Sequence, residues 1–284
     1  MRIDIGGGVR LFVDVDGFGW VPDGDGLVER PTVLLLHGGP GMDHSSFKTG
    51  VLTELRDVAQ VIVYDHRSQG RSDDRPRDEW DLDVWADDVV RLCDALGVSG
   101  PWVLGNSFGG FVAQRYAARH PDHPAGIVLS STAARLDADR SVEVFRRLGG
   151  DEAAAAAAVF LAGPTPEQAA HYLQVCGPHY TRRPGNPLES KAIVRRNDVS
   201  QWFFNGPHRA MDLRDDLARI ACPVLVLAGE HDPICPIELS EEIVAGLRRS
   251  PSVRFERFAA SGHGVYRDEP ERALAVVRAF VTGA

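Results

Sequence analysis

Cysteine, lysine and long apolar runs are all scarce in this chain, and each scarcity closes off a class of protein. Four cysteines, Cys93, Cys176, Cys222 and Cys235, stand far apart in 284 residues with no C-x-x-C pair, so no zinc site is indicated and free thiols are expected. No stretch of about 18 apolar residues occurs, and residues 1–8 show neither a basic start nor an apolar segment; a spanning helix and a secretory leader are not indicated, and a cytoplasmic location is expected. Positive charge is outweighed, with 31 Lys and Arg against 40 Asp and Glu and a net charge of -9. Such a surface has no general attraction for phosphate backbones or anionic lipid, so neither nucleic acid nor a membrane is an expected partner. Lys48 and Lys191 are the only lysines beside many arginines, a usage that points to a GC-rich bacterial genome and carries no chemistry.

What is present is the composition of an ordinary globular protein, 44% hydrophobic and 25% charged. Its length suits one α/β domain with an insertion. Residues 2–5 and 9–15 alternate as half-buried strands and predict a hairpin. The apolar runs 32–36 and 61–64 read as buried parallel strands with a helix between them. Leu82, Trp85, Val89, Leu92 and Leu96 recur at helical spacing, with acidic residues near the start where the helix dipole favours them. Strands are expected again at 102–104, 127–130, 223–228 and 253–258, and helices at 108–119, 237–247 and 270–280. Residues 133–217 interrupt the alternation with mainly helical signals: Asp151 and Glu152 before six alanines, and the capping box Thr165-Pro166-Glu167-Gln168. The expected fold is therefore α/β, a mostly parallel central sheet with helices on both faces. Residues 1–132 and 218–284 form the core, and 133–217 form a helical lid inserted after the sixth strand. Ligands of such sheets bind beyond the carboxyl ends of the strands.

Gly105-Asn106-Ser107-Phe108-Gly109 matches Gly-x-Ser-x-Gly between a predicted strand and a predicted helix, the context that this motif requires. Small neighbours are needed because a serine on so sharp a turn strains the backbone and brings flanking chains close. A serine hydroxyl is a poor nucleophile at neutral pH and needs a base, itself oriented by a third group. In this chain order an acid and then a histidine follow on later strand-end loops. Asp232, in Gly229-Glu230-His231-Asp232, and His263, in Ser261-Gly262-His263-Gly264, occupy those places. Glu230 is the nearest competitor of Asp232, and Asp232 also has the alternative reading of a turn residue before Pro233. Of the ten histidines, His37, His44, His66 and His231 read better as turn or supporting residues. The glycines of His37-Gly38-Gly39-Pro40-Gly41 leave backbone N–H groups free to meet an oxyanion, and the amides of Gly39 and Phe108 are the expected donors. Neither a metal nor an organic cofactor is required.

His37-Gly38-Gly39-Pro40-Gly41, together with Tyr64-Asp65-His66-Arg67-Ser68-Gln69-Gly70-Arg71-Ser72, resembles the proline iminopeptidase branch of the α/β hydrolases. Asn205-Gly206-Pro207 is similar to a segment of the related tricorn-associated aminopeptidases. The resemblance covers about 2–132 and 222–284. It implies a serine hydrolase that removes the N-terminal residue of a short peptide, with lid carboxylates holding the free amine. The chain departs from the pattern at Arg209, where the family has glutamate, since an arginine repels an ammonium group. Glu143, Glu167, Glu189 and Asp198 remain as acidic lid residues, and each also reads as a solvated helix face. Trp202 and Phe203 are candidates to line a substrate pocket, although an aromatic cluster is more often core. The nucleophile turn is also similar to that of meta-cleavage-product hydrolases, which cleave a carbon–carbon bond. That activity and a carboxylesterase are the alternatives; a binding protein that kept the fold without catalysis is the alternative of a different class.

Overall fold

Along β5 (Thr32–Leu36) successive side chains enter opposite layers: Val33 and Leu35 join one buried cluster, Leu34 and Leu36 another. This period of two across a strand covered on both faces is why the run is apolar throughout. The computed structural model describes residues 1–48, 50–184 and 191–283. Its strands are β1 (Arg2–Asp4), β2 (Arg10–Asp16), β3 (Trp20–Asp23), β4 (Gly26–Glu29), β5, β6 (Gln60–Tyr64), β7 (Trp102–Asn106), β8 (Gly126–Ser130), β9 (Val224–Gly229) and β10 (Val253–Phe258). The main sheet has the order β1-β2-β6-β5-β7-β8-β9-β10. It is parallel from β6 to β10, with β1 and β2 antiparallel at one edge.

Two helices, Leu82–Leu96 and Phe108–Arg119, cover one face with Trp85, Val89, Val112 and Tyr116. The 3₁₀ turn Val51–Asp57 and helix Pro270–Thr282 cover the other with Leu52, Leu55, Ala273 and Val277. Helix Leu82–Leu96 starts where Asp81 caps it, its carboxylate accepting the Asp83 N–H at 2.8 Å. Trp85 is fully buried on its inner face, and its indole N–H donates to the Arg67 carbonyl at 3.1 Å. Truncating such a residue to alanine costs about 3–5 kcal/mol.

The segment between β8 and β9, which follows the sixth main-sheet strand along the chain, is helical: Ala138–Leu161, Pro166–Cys176, Asn197–Asn205 and Arg214–Leu217. Ala138–Leu161 is two helices: Gly150, with φ 74° and ψ -166°, is non-helical, and the alanine run lies in the second helix, which opens at Asp151 and Glu152 as the sequence predicts. The capping box is formed, with Thr165 Oγ1 accepting from the Gln168 amide at 3.3 Å and Gln168 Oε1 from the Thr165 amide at 2.8 Å. Phe145, Ala153, Ala157, Tyr172 and Cys176 make this insertion's own small core. Two features depart from the sequence-based expectation. The hairpin β3–β4 carries its apolar residues outward, with Trp20, Leu27 and Val28 exposed, so no buried face marks it. Among the described residues between β5 and β6, the helical structure is the short helix Ser45–Lys48 and the 3₁₀ turn. Among the described residues no helix is long and apolar enough to cross a membrane.

Candidate active site

At the carboxyl end of β7 the chain turns directly into helix Phe108–Arg119, and Ser107 occupies the turn with φ 54° and ψ -116°. A non-glycine residue at positive φ stores strain, so its surroundings must hold it. They do: the Ser107 N–H donates to Ser130 O at 2.9 Å, and Ser107 O accepts from the Gly110 amide at 2.9 Å and Thr132 Oγ1 at 2.8 Å. The turn also crosses β5 so closely that a Cβ on Gly109 would overlap the carbonyl oxygen of Leu36. Phe108 is buried beneath, edge-on to Trp85, His66 and Phe203.

Two later strand-end loops bring partners to the serine. His263 follows β10, and its Nε2 lies 2.9 Å from Ser107 Oγ. Asp232 follows β9, and its carboxylate lies 2.9 Å and 3.0 Å from His263 Nδ1. Asp232 Oδ1 also accepts the amides of Ile234 and Cys235, each at 2.8 Å, which fixes the carboxylate plane. A carboxylate can only accept, so Nδ1 carries the imidazole proton and Nε2 turns its lone pair to the serine hydroxyl. The competing carboxylate, Glu230, faces elsewhere and pairs with Arg257 at 2.8 Å, which holds it below the usual carboxylate range.

The glycine loop after β5 lies against the serine, a Cβ on Gly38 falling 3.4 Å from Ser107 Cβ. Neither the Gly39 nor the Phe108 amide has a hydrogen-bond partner among the described residues. The motif after β6 holds this loop. Gln69 Oε1 accepts from the Gly41 amide at 2.7 Å. Asp65, fully buried, accepts from the His44 amide at 2.9 Å, His44 Nδ1 at 2.6 Å and the Arg71 amide at 2.7 Å. Burial alone would raise the Asp65 pKa; these donors and the nearby His37 bring it below the ordinary value instead. His37 bridges the two segments, with Nδ1 donating to Gly38 O at 2.7 Å and Nε2 accepting from the His66 amide at 3.1 Å. Burial lowers its pKa and keeps it neutral for that dual role.

The two pocket candidates part company. Trp202 is half-buried, edge-on to Trp80 with the Arg77 guanidinium over its ring. Phe203 has no accessible surface, packing on Phe108 and stacking on Phe111; it belongs to the core beneath the Ser107 turn and not to an accessible pocket wall. Of the acidic lid residues, Glu143 pairs with Arg146, Glu167 meets Thr165 at its helix start, and Asp198 pairs with Arg196. Glu189 lies outside the described residues. Arg209 is exposed, near Gly163 and Asn205. No group of three or more residues able to hold a metal ion occurs among the described residues.

Comparison with known proteins agrees with this architecture. A family model described as the alpha/beta hydrolase fold matches residues 31–270. The chain is 29% identical to a proline iminopeptidase of Heyndrickxia coagulans, over 88% of this chain and 90% of that protein. It is 30% identical to a non-heme chloroperoxidase of Streptomyces lividans, over 92% and 94% of the two chains. Among solved structures, a proline iminopeptidase of Mycobacterium smegmatis superposes with a TM-score of 0.74 at 25% identity, covering 100% of this chain and 97% of that one. Sheet order, strand-end loops and matched length lead to one conclusion: this chain belongs to the alpha/beta hydrolase family.

Proposed function

We propose that this protein is a serine hydrolase that works by acyl transfer through Ser107, His263 and Asp232. One observation carries the reading: an unbroken hydrogen-bond line from Asp232 through His263 to Ser107 Oγ, with steps of 2.9 Å. As Ser107 Oγ attacks a carbonyl carbon, its proton passes to His263 Nε2, and Asp232 stabilises the imidazolium that forms. The carbonyl oxygen becomes an oxyanion facing the amides of Gly39 and Phe108, where one such donor is worth about 2.7–4 kcal/mol. His263 then gives its proton to the leaving amine or alcohol, leaving an acyl-serine. Water enters, His263 takes its proton, and the acid departs with Ser107 restored. Each proton removed is returned, so the cycle consumes only water.

For the substrate we favour a short peptide that loses its N-terminal residue. The paired motifs after β5 and β6 support this, as do relatives named proline iminopeptidase in both sequence and structure. A carboxylesterase is the second reading, favoured by the arginine partners of Glu143 and Asp198 and by Arg209. The substrate is a small molecule or short peptide in either case. Wild type and Ser107→Ala, assayed on proline and other aminoacyl arylamides beside short acyl esters, test both levels. Turnover of arylamides that vanishes in Ser107→Ala is expected; turnover of esters alone selects the esterase, and activity retained in Ser107→Ala overturns the mechanism.

A further inference from the structure

One buried carboxylate near the site has no part in that cycle. Asp268 ends the short helix Val265–Asp268 just after the His263 loop, and it is 2% exposed. Its Oδ2 accepts the Gly262 N–H at 2.9 Å, and its Oδ1 accepts the N–H groups of Arg182 and Arg183, each at 2.9 Å. Three backbone donors from two distant segments thus converge on one side chain. Only a carboxylate offers acceptors on both sides; an amide would turn an NH₂ group toward a donor.

The same two segments meet again beside the imidazole. The His263 N–H donates to Tyr180 O at 2.6 Å, and the Tyr180 ring stands edge-on to the His263 ring with centroids 6.0 Å apart. A side chain on Gly262 would overlap Tyr180 O, so this approach requires glycine there. Tyr180 is in turn held to the insertion's core, its hydroxyl 2.6 Å from that of Tyr172.

We propose that Asp268 is a positioning residue: it fastens residues 180–183 of the insertion to the loop carrying His263, so that the imidazole's reach to Ser107 depends on the insertion being docked. The proposal rests on the Ser107–His263 reading above. Displacement of a reacting group by about 1 Å is enough to lower a rate by about 100-fold, and this clamp controls that scale of displacement.

The test uses the full chain and a fluorophosphonate probe, reading both the rate constant and the final extent of Ser107 labelling. In Asp268→Asn the rate constant should fall by about 10- to 100-fold while the extent stays at the wild-type level, and kcat for any substrate turned over should fall in parallel. A role confined to stability would lower the extent and leave the rate constant of the labelled fraction unchanged. Arg183→Pro removes one donor and keeps the carboxylate; it should slow labelling in the same direction by a smaller factor, and it decides the matter if Asp268→Asn fails to fold. Wild-type rate constants in the variants that fold overturn the clamp. Wild type that resists the probe, or labelling that persists in Ser107→Ala, removes instead the Ser107 reading, and the clamp with it.

Discussion

His263 Nε2 and Ser107 Oγ lie 2.9 Å apart although 156 positions separate them in the chain. Their meeting depends on two different strands ending at the same side of the sheet, and the proposed mechanism makes them one unit. Ser107→Ala and His263→Ala should each lower kcat on the best substrate by a similar factor, on the scale of about 10⁶. Asp232→Asn should cost about 10⁴ by favouring the wrong tautomer of His263. Steady-state kinetics of the three variants checks this; three equal, small losses would contradict it.

The crossing of the Ser107 turn over β5 leaves no room for a methyl group on Gly109. Gly109→Ala must push its Cβ into the Leu36 carbonyl, moving the helix or the strand. A loss of more than about 3 kcal/mol is expected, on the scale of overpacking in a close-packed interior. Urea unfolding gives the stability, and probe labelling of the folded fraction reports whether Ser107 stays reactive.

Asp65 serves three donors in a site closed to water. Asp65→Ala leaves them unpaired, and a loss of about 3–5 kcal/mol is expected. Denaturant titration measures it. Because the same carboxylate shapes the segment beside the Gly39 loop, kcat of the folded variant should fall more than KM rises.

His66 predicts a pH dependence of stability. Its ring is fully buried with no partner for either nitrogen among the described residues. Burial, with some help from His37, holds its pKa well below the ordinary 6.5. Between the folded and unfolded pKa values the unfolded chain binds the extra proton, so stability rises with pH there and is lost as pH falls below about 6.5. His66→Phe removes that proton uptake. Its melting temperature should drop less than that of wild type between about pH 7.5 and about pH 5.5, as followed by circular dichroism.

Legibility in the sequence followed burial and chain neighbourhood. β5 through β9 are apolar runs because both faces are covered, and the strands fix where Ser107 and Asp232 emerge. The β3–β4 hairpin escaped because exposed apolar side chains imitate a loop. Phe203 was misplaced for a related reason: an aromatic on an amphipathic helix reads the same whether it meets a cavity or, as here, the ring of Phe108. Asp268 left no signal in the sequence, since Gly262, Arg182 and Arg183 contribute only their backbone and the last two are 86 and 85 positions away.

The sheet order places β7 in the middle and β10 at the margin. Ser107, the proposed nucleophile, therefore follows a strand hydrogen-bonded along both sides, whereas His263, the proposed base, follows the outermost one, where fraying begins. On gentle heating, exchange of the β10 amides with deuterium should outrun that of β7, and catalysis should fade while the fold around the serine endures. On this reasoning the margin of the sheet, and not its centre, should set the working temperature of the whole.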